Sequence, residues 1–66
     1  MTIARTILDA NLDDNIVIDE NELMADAADA CTSCQVWTDI DGFAHGIYYF
    51  ADGSTLIVDP CEAVCR

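Results

Sequence analysis

Apolar positions along the chain fall into two regimes that meet at Cys31-Thr32-Ser33-Cys34. Before that point the spacing is helical. Ile3, Ile7 and Leu8 share one helix face, and Asn11 to Asn15 reads as a polar, turn-rich stretch. Ile16-Val17-Ile18 is short and β-branched, which predicts extended backbone. Asp19 stands at a helix start, with Glu22 three residues on in capping-box spacing. Leu23, Met24, Ala27, Ala28 and Cys31 then form the apolar stripe of a second helix ending near Cys31.

After Cys34 the pattern predicts strands at 35–40, 46–51 and 54–59. Asp41-Gly42 closes the first, and Asp52-Gly53 predicts a two-residue hairpin turn with both residues at positive φ. Pro60 stops the third strand and predicts a short last helix from Cys61 to Arg66. The expected fold is α+β, one domain over residues 1–66, with two N-terminal helices packed on a three-stranded antiparallel meander. Alternation puts Tyr48 and Phe50 on one face, and Ile47 and Tyr49 on the other.

Charge narrows the functional classes. Thirteen acids, ten of them Asp, face two arginines and no lysine, giving a net charge of −11 in 66 residues. Direct nucleic-acid binding needs cations against phosphate, so this balance excludes it, and it equally opposes docking on anionic membranes. The chain is nonetheless 53% hydrophobic, with a mean hydropathy of +0.24, which predicts folding rather than a disordered acidic tail. No secretory signal or membrane-length apolar run is visible. The expected location is the cytoplasm, with a virion as the alternative.

Asp19, Glu22, Asp26 and Asp29 recur at helical spacing, with Glu20 on the flank. Neighbouring carboxylates on a helix lie roughly 5–6 Å apart and repel by a few tenths of a kcal/mol per pair. A lysine among them would relieve this, and the chain has none. Two readings follow: a surface held for a basic protein partner, steered electrostatically, or general acidity for solubility and high salt. In size, charge and helix stripe the chain resembles small acidic phage-encoded inhibitors, including nucleic-acid mimics such as the uracil-DNA glycosylase inhibitors and several anti-restriction and anti-CRISPR proteins. That resemblance implies a non-enzymatic inhibitor acting in the host cytoplasm. It would occupy a basic, nucleic-acid-binding surface of a host protein through Asp19, Glu20, Glu22, Asp26 and Asp29.

A second resemblance covers residues 9–20. Asp9, Asn11, Asp13 and Asn15 fall at positions one, three, five and seven of an EF-hand loop, and Glu20 at twelve. It implies calcium as a ligand. Asp14 departs from it where glycine makes the sharp turn, and Leu12 is apolar inside the loop. The alternative function is therefore a calcium-binding or structural virion protein.

Cys31-x-x-Cys34 and Cys61-x-x-x-Cys65 leave three states open. These are a four-thiolate zinc site, disulfides from the helix end to the C-terminal segment, and reduced buried thiols. Catalysis finds no motif. His45 is the one histidine, and no nucleophile elbow or phosphate-cradling loop accompanies it.

Overall fold

The computed structural model describes residues 1–14, 16–60 and 62–66. Asn15 and Cys61, both among the residues singled out above, lie outside the described residues. Helix α1 spans Ile3–Ala10. The hairpin of β1 (Leu12–Asp13) and β2 (Ile16–Val17) follows, and then helix α2, Glu20–Ala30. Strands β3 (Ser33–Thr38), β4 (Ala44–Tyr49), β5 (Thr55–Asp59) and β6 (Glu62–Cys65) form one antiparallel sheet in chain order.

The class is α+β, but the expected three-stranded meander is corrected to four strands plus a separate two-stranded hairpin. The predicted C-terminal helix is strand β6. The six residues from Cys61 to Arg66 are too few to repay helix nucleation, whereas β5 presents an open edge with unpaired N–H and C=O groups. Arg66 and Thr55 exchange both backbone bonds, at 2.8 and 2.9 Å, and Glu62 to Cys65 alternate exposed and half-buried. The pairing gain decides the conformation.

The hairpin turns also differ from expectation. Asp39 N–H donates to Phe43 O at 2.9 Å and Gly42 N–H to Asp39 O at 3.0 Å. Phe50, Gly53 and Ser54 repeat that pattern. In each loop a single glycine takes the left-handed conformation, Gly42 at φ 87° and Gly53 at φ 85°. The Asp52-Gly53 turn is thus a three-residue loop rather than a two-residue one. Asp14, at φ 51°, takes a left-handed position in the two-residue connection between β1 and β2 instead.

Both helices lie on one face of the sheet, α2 against β4 and β5, α1 against β5 and β6. Ala4, Leu8, Leu23 and Ala27 meet Tyr48, Phe50, Leu56 and Val58 there, all buried. Alternation is as expected: Tyr48, Leu56 and Val58 point inward, while Ile47 and Tyr49 point to the open face. The N-terminus of α1 is held by the β4–β5 loop. The Asp52 carboxylate accepts Ile3 N–H at 2.8 Å and the Ser54 hydroxyl accepts Ala4 N–H at 3.1 Å. All six residues of β3 are exposed. Among the described residues no helix is long and apolar enough to cross a membrane.

Candidate protein-binding surface

Helix α2 forms where the capping signal places it. Asp19 Oδ1 accepts Asn21 N–H at 2.9 Å and Glu22 N–H at 3.4 Å, satisfying two donors that a helix start leaves orphaned. Leu23 and Ala27 are sealed against the sheet, so Asp19, Glu20, Glu22, Asp26 and Asp29 are left exposed. From Asp19 to Asp29 the row runs about 15 Å along the axis.

The five acids do different work. Asp19 is the cap. Asp26 Oδ2 accepts at 3.1 Å from the side-chain amide of Asn11, which is 7% exposed and also donates to Ile7 O at 2.9 Å. Asp26 therefore ties α2 to the end of α1. Glu20, Glu22 and Asp29 make no side-chain hydrogen bond or ion pair among the described residues. Asp19 and Glu20 also overlook a cleft shared with Asp59 and Glu62, with Leu8, Val17 and Val58 in its lining. Arg5 stands in that cleft, but its guanidinium is engaged by Asp9 at 2.9 Å and by the Cys65 sulfur at 3.6 Å.

Residues 9–20 are arranged as a helix end, a hairpin and a helix start. Asp9 pairs with Arg5 in the last turn of α1, Asn11 turns inward, Asp13 is exposed on β1 and Glu20 opens α2. Among the described residues no three His, Cys, Asp or Glu side chains group as a metal-binding set.

Cys31, Cys34 and Cys65 are free thiols. Cys34 lies on β3 and Cys65 on β6, at opposite edges of the sheet. Three strand spacings separate them, about 14 Å, whereas a disulfide needs Cα atoms within roughly 7 Å. Neither a bond nor a shared zinc ion joins these two, because β4 and β5 intervene. Cys31 donates to Ala28 O at 3.4 Å. Its pKa is raised, first by burial and then by the neighbouring Cys34 thiol.

His45 is the group that sequence reasoning passed over. Its ring lies flat against Trp37, with centroids 5.4 Å apart and planes within 5°. Nε2 is 2.7 Å from Asp39 Oδ2 and Nδ1 is 2.8 Å from Asp59 Oδ1. Both carboxylates only accept, so both ring nitrogens must carry a proton, and that is the imidazolium. The Asp39 hydrogen bond, then that of Asp59, raises the His45 pKa. The same contact with His45, followed by Phe43 N–H, lowers that of Asp39. The signal was the sheet register: Trp37 pairs with His45, and the Gly46↔Val58 pair places His45 opposite Asp59. With both nitrogens donating, this histidine is neither a general base nor a metal ligand in this arrangement. It clamps the β3–β4 loop to the end of β5.

Compared with protein-family models, with curated proteins and with solved structures, the chain matches none.

Proposed function

We propose that this domain is a non-enzymatic binding module whose α2 acids dock on a basic protein surface, of the kind that otherwise receives nucleic acid. Binding there would exclude the nucleic acid and inhibit the partner. One observation carries the reading: Glu20, Glu22 and Asp29 project into solvent from a well-capped helix with no cation paired to them among the described residues. The repulsion along this row works against folding, and a basic partner would relieve it. Long-range attraction at a net charge of −11 would speed encounter and weaken as salt rises.

The test uses Glu22→Lys with Asp29→Lys, because neither side chain supports another part of the fold; Asp26 is left in place to hold Asn11. Immobilised wild-type domain is exposed to a cell lysate, and retained proteins are challenged with duplex DNA. The expected result is a retained protein that duplex DNA displaces and that the double variant no longer captures. Equal capture by the variant, or indifference to DNA, overturns the proposal.

A further inference from the structure

We propose that β3 is a self-pairing edge, and that a second copy of this chain adds its own β3 antiparallel to it across a two-fold axis at Val36. This is independent of the acidic-helix reading and rests on a different part of the molecule.

Edges of natural sheets are guarded by charge, proline, bulges or a covering element. The two edges here differ in this respect. Strand β6 is four residues long, carries Glu62 as its first residue, is followed by Arg66 and is packed by α1. Strand β3 is six residues long and holds an unbroken register with β4 from Ser33↔Tyr49 to Thr38↔Ala44. It contains no proline and no charged side chain, and every one of its residues is exposed. Val36 is 56% exposed on the helix side of the sheet, and Trp37 45% exposed on the other.

The charge distribution selects the occupant. Fifteen charged residues are spread along this chain, yet Ala30 to Thr38 contains none. A second molecule, itself at −11, meets repulsion elsewhere and least at this edge. Backbone geometry makes the edge self-complementary. Asp39 N–H donates to Phe43 O, which makes that a hydrogen-bonded pair in the β3–β4 register. Alternation then turns Ser33, Gln35 and Trp37 toward β4, and the N–H and C=O groups of Cys34, Val36 and Thr38 toward the open side.

An antiparallel copy centred on Val36 brings Val36 opposite Val36, and Cys34 opposite Thr38, with each pair exchanging two N–H···O bonds. Directly opposed residues then share a face, as an antiparallel ladder requires. The product is one continuous eight-stranded sheet. The axis is perpendicular to it, so both α2 helices lie on the same face, on either side of an uncharged central strip.

Sedimentation equilibrium over a range of protein concentration tests this, read against the 7.2 kDa chain mass. Wild type is expected to double in mass, and more readily at about 0.5 M than at about 0.05 M salt, since screening relieves repulsion between the copies. That sign is opposite to the one expected for a basic partner. Val36→Pro removes an N–H that points away from β4, so the monomer keeps its ladder. The variant is expected to weaken dimerisation about tenfold or more through the two lost cross-copy bonds. Amide exchange is a second readout that needs no variant: the amides of Cys34, Val36 and Thr38 should gain protection on concentration, while Gln35 and Trp37 are protected throughout. A single monomeric mass up to about 1 mM overturns the proposal. So does a dimer unaffected by Val36→Pro, or one in which those three amides stay unprotected.

Discussion

Gly46 sits on the core face of β4, between Val36 of β3 and Val58 of β5. The Tyr48 ring lies over it. A Cβ at this position would stand 2.7 Å from Tyr48 Cε2, 2.8 Å from Oη and 2.9 Å from Cζ. Two terms oppose each other in Gly46→Ala. Restricting the unfolded chain stabilises by about 0.4–1 kcal/mol when the native backbone suits alanine, and Gly46 is not among the positive-φ residues. Overpacking a filled core costs about 1–3 kcal/mol. Tyr48 is 1% exposed and has no solvent route by which to yield, so the steric cost wins. A net loss of about 1–2 kcal/mol is expected, against a total of roughly 3–10 kcal/mol for a domain of this length. Urea denaturation followed by far-UV circular dichroism checks this through the midpoint at constant slope. Tyr48→Phe should recover part of the loss by removing the Oη contact. A midpoint for Gly46→Ala equal to or above that of wild type would refute the packing argument.

The remaining predictions concern the clamp and the helix cap. His45 titrates above its usual 6.5 because Asp39 and Asp59 accept from its ring. Its contribution is complete below pH 6.5 and is lost as pH rises through the raised folded-state value. Melting temperature measured from pH 6 to 8.5 should therefore fall for wild type and stay flatter for His45→Gln, and an NMR titration of the ring should give a midpoint above 6.5. The depressed pKa of Asp39 works on the acid side: that stabilisation is present above about 3.8 and is lost as pH falls through the lowered value. Ser54→Ala removes the acceptor for the buried N–H of Ala4. The expected cost is about 1–2 kcal/mol, a fall in Tm of roughly 5–15 °C by scanning calorimetry, and an unchanged Tm would show that the hydroxyl does not cap α1.

Local chemistry alone determined both helices. The Asp19 cap and the Leu23/Ala27 stripe place α2, and the spacing of Ile3, Ile7 and Leu8 places α1, because capping and helical periodicity act within a few residues; that the buried side of α1 is Ala4 and Leu8, with Ile3 exposed, came from packing on the sheet. Strand alternation and the division of Tyr48 and Tyr49 between opposite faces follow in the same way from a period of two, while the helices decide which of the two faces is buried. The row of exposed acids on α2 was likewise legible, since a helix fixes which side chains share a face.

What tertiary structure decided were the matters that depend on pairing partners distant in sequence. Residues 62–65 became a strand because β5 had an edge to fill, and a four-residue segment has no strong preference of its own. Cys34 and Cys65 were separated because strand order, not sequence spacing, sets distance across a sheet. Asp26 was drawn to Asn11, and Asp52 with Ser54 to the start of α1, by contacts that only folding creates. His45 gained its two carboxylates from register, which joins residues 6 and 14 positions away. A single chain encodes such pairings only through the sum of many weak contacts, and so no local pattern announces them.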